Sequence, residues 1–438
     1  MNNLQGFQDT QIDWIGNIPS DWELKKIKYV FWERKENNDP IKSENLISLT
    51  IERGVIPHSE KTGGGNKPKE DLTKYKLVYP GDIVLNSMNV IAGAVGISKY
   101  YGVVSPVYYM LIPRDESFTK EFFHHLFRNE TFQKSLYGLG NGILIKENEE
   151  TGKLNTIRMR IPMYKLGDQF IPVPSSEEQK LISQYLDKKT KQIDSMIEKI
   201  QKKIELLKEH RTSLIKQCVT KGLDPNVEMK ESGVEWIGVI PSHWNYFRNK
   251  NILSLSKNIV GDKWSNFTLL SLGRLGVTVR DLDSGKGKFP ESFETYQEVK
   301  EGQFVFCLFD IDETPRTVGL SKQNGMITGA YTVFDCSDKV SPEFIYYFYL
   351  TLDEFKGLAP HYSGLRKTIR PSRFLSLGIY LPKLEEQNRI VEHIDKLTKK
   401  IDNLIDLEDR KKNLLNEYRQ SLISSAVTGK VKISEDMI

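Results

Sequence analysis

Cysteine is scarce: Cys218, Cys307 and Cys336 are the three found in 438 residues. They form no C-x-x-C pair and have no histidine at a ligand spacing. That excludes a disulfide framework and a thiolate zinc site, and leaves three reduced, structural thiols. No apolar run approaches the roughly 18–20 residues of a membrane span. The opening Met1-Asn2-Asn3-Leu4-Gln5-Gly6-Phe7 lacks the basic and apolar regions of a signal peptide, so a cytoplasmic location is expected. An excess of one charge is also missing, since 62 basic and 58 acidic residues leave a net +4. A basic footprint covering the whole chain is therefore absent. Any potential that attracts nucleic acid must be local, or must come in part from partner proteins.

Catalytic motifs are missing as well. Gly63-Gly64-Gly65-Asn66-Lys67 has no apolar strand before it and no Ser or Thr after it, so it is not a phosphate-binding loop. The sequence has no Asn/Asp-Pro-Pro-Tyr/Phe tetrapeptide of an amino-methyltransferase, no H-E-x-x-H and no G-x-S-x-G. His124 and His125 are neighbours and diverge by about 100° on a helix, which makes them surface or partly buried side chains of a helix and not a ligand pair. The chain reads as a recognition protein with no cofactor or metal of its own.

What is present is repetition. At roughly 100–200 residues per domain the length suits two to four domains, and 39% hydrophobic with 27% charged residues is ordinary globular composition. Trp14-Ile15-Gly16-Asn17-Ile18-Pro19-Ser20-Asp21-Trp22 returns 222 positions later as Trp236-Ile237-Gly238-Val239-Ile240-Pro241-Ser242-His243-Trp244, with seven of nine residues unchanged. Glu177-Glu178-Gln179 through Val219-Thr220 returns 208 positions later as Glu385-Glu386-Gln387 through Val427-Thr428. Asp187/Asp395, Asp194/Asp402 and Arg211/Arg419 coincide within it. Weaker echoes lie between, such as Gly81-Asp82-Ile83-Val84 with Gly302-Gln303-Phe304-Val305. The order is variable segment, shared segment, variable segment, shared segment.

The shared segments are helical by period. Ile193, Ile197, Ile200, Ile204, Leu207 and Leu214 follow a 4-3 spacing with Arg211 in one slot, and Ile394, Ile401, Ile405, Leu415 and Leu422 supply the second copy. Ser175 and Glu178 fit a capping box, and Gly222 and Gly429 stand at the far ends. A helix of about 40 residues is about 60 Å long, and two in one chain can pair as a coiled coil. The variable segments read as mixed α+β heads of about 160 residues. Short β-branched runs such as Asp82-Ile83-Val84-Leu85 and Phe304-Val305-Phe306-Cys307-Leu308 alternate with turns, and helices are expected at Glu121 to Leu136 and Pro342 to Phe355. The expected division is 1–174 first head, 175–222 central helix, 223–382 second head, 383–430 C-terminal helix and 431–438 tail.

Several loops carry residues suited to phosphates or base edges. In the first head these are Lys61, Asn66, Lys67 and Lys69 around the triglycine, with Asn86 and Asn89 as adenine readers or simple turn residues. In the second head they are Arg274, Arg280, Lys286, Lys288, Arg316, Arg366, Lys367 and Arg370, of which Arg370, like the nearby Arg373, could equally be a structural ion pair. Net charges of +1, +4, −1 and +1 over the four main segments leave neither head basic.

The paired Trp-Ile-Gly-x-Ile-Pro-Ser-x-Trp motifs, the Glu-Glu-Gln helix starts, the Thr220-Lys221-Gly222-Leu223-Asp224-Pro225 junction and the closing Ala426-Val427-Thr428-Gly429-Lys430 resemble the specificity subunit of type I restriction-modification systems. The resemblance covers nearly the whole chain. It implies two target recognition domains in pseudo-twofold relation, each reading half of a bipartite, asymmetric DNA site, with the two helices as an antiparallel coiled coil that sets the unread gap. It implies as partners double-stranded DNA, two methylation subunits that bring S-adenosylmethionine, and two restriction subunits that add ATP-driven translocation and cleavage. One departure is Lys383-Leu384 where the first helix has Ser175-Ser176, which leaves the second helix start open. Two other readings stay open on sequence: a system with no nuclease, and a tandem-head coiled-coil scaffold that binds no DNA.

Overall fold

The computed structural model describes residues 6–62, 68–88, 90–140, 145–147, 154–156, 160–280, 292–362 and 367–438. By internal contacts the chain divides into two units, Met1–Gln201 with Arg410–Ile438, and Lys202–Asp409. Both boundaries fall inside long helices. The sequence-based division places them at the helix ends.

In the first unit, β1 (Phe31–Arg34), β2 (Ile83–Asn86), β3 (Val95–Ile97) and β4 (Tyr108–Pro113) form an antiparallel sheet in the order β1-β4-β2-β3. All four residues of β2 are buried, which explains why it reads as a continuous apolar run and not as an alternating one. Helix α1 (Lys120–Phe127) buries Phe122, Phe123, Leu126 and Phe127 in this core. It stops two residues before Asn129, whose Oδ1 accepts from the Thr131 and Phe132 amides at 2.8 and 3.4 Å and starts a separate helix at Glu130–Ser135. The single helix expected from Glu121 to Leu136 is therefore two, because an asparagine cap outcompetes helix continuation at that point.

Helix α2 (Ser176–Lys221) is continuous for 46 residues, about 69 Å at 1.5 Å per residue. Its Ile182, Tyr185 and Leu186 enter the first core with Ile15, Ile18 and Trp22. The residues 431–438, read from sequence as a tail, also belong here: Ile433 is buried in this core, and Met437 and Ile438 pack against it.

The second unit repeats the plan with different residues. Its sheet is β5 (Leu253–Ser256), β6 (Phe304–Phe306), β7 (Val318–Leu320) and β8 (Thr332–Cys336), in the order β5-β8-β6-β7. Helix α3 (Pro342–Glu354) opens on Ser341, whose Oγ accepts from the Phe344 amide, with Pro342 at the position where a missing N–H costs nothing. Phe306, Phe334, Phe344, Tyr349 and Phe374 centre the core, joined by Ile215, Cys218 and Val219 of α2 and by Ile390 and Ile394 of α4 (Leu384–Val427). Smaller ladders correspond too. The Gly102–Val104 strand pairs with Lys76–Val78 as Gly325–Ile327 pairs with Gln297–Val299, and the hairpin of Ile47–Thr50 with Gly54–Pro57 corresponds to that of Leu270–Gly273 with Gly276–Val279.

The three thiols are free, and burial pushes Cys218 up to about 11 and Cys336 up to about 12. Among the described residues no helix is long and apolar enough to cross a membrane, and no cluster of three or more His, Cys, Asp or Glu could hold a metal ion.

Candidate nucleic-acid interface

The two repeated motifs meet within each unit. Trp22 and Trp244, which close the Trp-Ile-Gly motifs, are almost fully buried, and their indole N–H groups donate to Glu178 at 3.5 Å and Glu386 at 3.2 Å. His243 Nε2 lies 2.9 Å from Glu386 Oε2 as well. The neighbouring Gln179 and Gln387, each 1% exposed, reach the residue just before the head helix. Gln179 Oε1 accepts from the Thr119 amide at 2.7 Å, and Gln387 Oε1 from the Ser341 amide at 2.9 Å. Eight residues beyond each glutamine, Asp187 lies 2.8 Å from His125 Nε2 in the first unit, and Asp395 accepts from the Tyr347 hydroxyl in the second. Glu, Gln and Asp at matching positions thus hold each head on a long helix.

The far helix ends complete the same clasp. Gly429, at φ +69°, is packed so closely on Pro19 that a Cβ there would come within 2.3 Å of Pro19 Cδ. Gly222, at φ +70°, lies beside Trp244 and Glu386 with room to spare.

Between their ends the helices are joined by charge. In the second unit Lys203 Nζ is 2.6 Å from Glu408 and Arg211 Nε is 3.1 Å from Asp402, so α2 and α4 run in opposite directions there. In the first unit Arg419 Nε is 2.9 Å from Asp194. Arg211, which interrupts the apolar spacing, is thereby matched by a carboxylate, and its repeat equivalent Arg419 is matched in the same way. Of the predicted seam, Ile193, Ile200, Ile204, Ile394 and Ile401 are buried, while Ile197, Leu207, Ile405, Leu415 and Leu422 are half-buried.

The loop residues singled out for DNA fare unevenly. Asn66, Lys67, Asn89, Lys286, Lys288 and Arg366 lie outside the described residues. Asn86 is buried at the end of β2, where its Oδ1 accepts from the Met88 amide at 3.0 Å, a turn role. Arg316 Nη1 is 3.4 Å from the buried carboxylate of Asp353, and Lys367 Nζ is 2.7 Å from Asp312. The Lys367 contact, ahead of a hydrogen bond from Tyr362, holds Asp312 down at about 2. A phosphate would have to compete with these pairs. Lys69, Arg274 and Arg370 are exposed, and Lys61 and Arg280 are half-buried. Arg274 sits at the tip of its hairpin beside Leu275, which is 90% exposed. A cleft of about 520 Å³ next to that tip is lined by Glu301, Glu343 and Asp395 against the single cation Lys322, with Tyr346 and Tyr347, a balance that disfavours a phosphate backbone there. Sequence reasoning passed over Lys76, which donates to the Tyr108 carbonyl at 2.9 Å and is 3.4 Å from Glu33. Burial, ahead of the nearby Arg160 and Lys35 charges, lowers its pKa.

Comparison with known proteins agrees with this architecture. The model of a family described as type I restriction modification DNA specificity domain matches residues 326–417. The type I restriction enzyme MjaX specificity subunit of Methanocaldococcus jannaschii is 24% identical over 98% of this chain and 97% of its own length. Residues 326–417 thus match the DNA specificity domain, and the chain is similar over nearly its whole length to a type I restriction enzyme specificity subunit. The MjaVIII specificity subunit of the same organism is 28% identical, over 60% of this chain and 62% of its own length. A solved chain from work on complex assembly and conformational transition of the type I R-M system superposes with a TM-score of 0.64, at 14% identity, covering 94% of this chain and 99% of that one. At that identity the likeness is one of fold.

Proposed function

We propose that the chain is a non-catalytic DNA-reading subunit. Each head reads one half of a bipartite, asymmetric double-stranded target, and α2 and α4 form an antiparallel coiled coil that sets the unread gap. The observation that carries this reading is that two heads of identical strand order, built from different residues, are fixed to their helices through the same Trp–Glu and Gln contacts. Equal supports under unlike heads suit a target whose halves differ in sequence while their separation is constant. Half-sites one turn apart, roughly 34 Å, are within reach of a stalk of about 60–70 Å.

Its partners would be two methylation subunits that bring S-adenosylmethionine and two restriction subunits that bring ATP-driven translocation and cleavage. Leu404 with Leu407, and Leu414 with Tyr418, are exposed apolar pairs on α4 separated by Lys411, suited to a partner protein. Partners would also supply phosphate contacts that a net charge of +4 does not. DNA contacts in this chain would come from the exposed cations Lys69, Arg274 and Arg370 together with Asn66, Lys67, Lys286 and Lys288.

The test is single-molecule methylome sequencing of a host lacking such a system, with the chain and its methylation subunit expressed together and then without the chain. The expected result is a new N6-methyladenine motif of two unlike half-sites around a fixed gap, seen only when the chain is present. Absence of such a motif with both proteins soluble and complexed would overturn the proposal.

A further inference from the structure

We propose that Gln179 and Gln387 are positioning residues that fix the angle at which each head leaves its long helix and so hold the unread gap to one length. This rests on the reading of the two heads given above. Each amide makes two bonds to two different parts of the head. Oε1 accepts from the backbone N–H of the residue just before the head helix, Thr119 at 2.7 Å or Ser341 at 2.9 Å. Nε2 donates to the carbonyl of the proline that precedes the long helix, Pro174 at 2.9 Å or Pro382 at 2.9 Å. One partner is a donor and the other an acceptor, so the amide orientation is dictated by chemistry, and only Asn or Gln carries both functions on one fork.

Both glutamines are 1% exposed, so water cannot take over either bond. Other contacts along the same junction are looser or differ between units. Trp22 is 3.5 Å from Glu178 where Trp244 is 3.2 Å from Glu386, and Asp187 takes a histidine where Asp395 takes a tyrosine. The helix starts differ too. Ser175 Oγ accepts from the Glu178 amide at α2, while Lys383 offers the same point of α4 only its backbone carbonyl, to the Glu386 and Gln387 amides. The glutamine bonds are the same in kind at both junctions and shorter than the Trp–Glu pairs. They sit where a small rotation is magnified over the whole head, and a displacement of about 3.4 Å equals one base pair.

The experiment compares wild type with Gln387→Met and Gln387→Glu, and separately Gln179→Met and Gln179→Glu, each expressed with the methylation subunit and read by methylome sequencing. Met keeps the length and removes both bonds. Glu keeps the acceptor and loses the donor, and serves as the readout should the Met variant fail to fold. The expected result is unchanged half-sites with new methylation at gaps one base pair longer or shorter, the ratio of off-length to on-length sites rising roughly tenfold or more, since misplacement by about 1 Å is worth up to about 10²-fold. A purely structural role would lower methylation evenly at the original gap. That outcome, or an unaltered gap at full methylation, overturns the proposal. Failure of wild type to produce any two-part motif would instead refute the underlying function.

Discussion

Arg316 stands in a loop, yet its guanidinium belongs to the fold. Asp353, with 2% of its side chain exposed, takes the Arg316 guanidinium at 3.4 Å, the Thr317 amide at 3.2 Å, the Thr317 hydroxyl at 2.7 Å and Lys356 Nζ at 2.9 Å. Removing that carboxylate leaves two partly buried cations and the Thr317 amide and hydroxyl without their shared partner, so Asp353→Ala should destabilise the second unit by about 3 kcal/mol in guanidinium unfolding. Arg316→Ala should likewise lower stability before it lowers DNA affinity. His124 gives a pH dependence. Burial, ahead of the charges of His125 and Arg128, depresses it to about 3. The folded state then binds its proton less readily than the unfolded chain, in which histidine titrates near 6.5. The stability it supports is complete above about pH 6.5 and is lost as pH falls toward 3. Thermal melts of wild type should weaken over that window, and His124→Gln should flatten the decline. A parallel curve for the variant would contradict this. At this scale the sequence was least informative. Cations at 316 and 367 look alike on the page whether they await a phosphate or are held by Asp353 and Asp312, because the partners lie tens of residues away.

At the scale of elements, the terminal glycines separate conformation from packing. Both adopt positive φ, which costs a non-glycine residue about 1–2 kcal/mol. Gly222→Ala should show about that loss, its nearest neighbour being a Glu386 oxygen 3.5 Å away. Gly429→Ala adds a collision with the Pro19 ring, so its melting temperature should fall further; equal shifts would argue against so tight an approach. The long helices were legible because 3-4 spacing over 40 residues has no competing explanation. The break at Asn129 was not, since an asparagine inside an apolar pattern signals a cap only when the next turn is seen to start there. The shared strand order of the heads was hidden for a different reason. It is maintained by burial at corresponding strands such as β2 and β6, and Ile83-Val84-Leu85 and Phe304-Val305-Phe306 satisfy that burial without resembling each other.

For the whole molecule, a charge of +4 on 438 residues predicts that DNA affinity is assembled from a few local contacts. In complex with a methylation subunit, log affinity should fall linearly with log salt, and Arg370→Ala should reduce the slope by about 1 if that exposed side chain meets a phosphate. An unchanged slope would remove Arg370 from the interface. The repeat was visible at once in the tryptophan and Glu-Glu-Gln motifs. That these motifs touch was not, because Trp22 and Glu178 are 156 residues apart and nothing local in either announces the other.

One unit is a single stretch of chain, Lys202–Asp409, whereas the other is made from both ends. On the ribosome this imposes an order. The first head emerges early, but Ile423, Ala426, Val427 and Ile433, which close its core, follow more than 200 residues later. At about 5–20 residues per second that is a delay of roughly 10–40 s. The head that is made before the other is therefore completed after it, and through that interval it must stay soluble with its apolar face open.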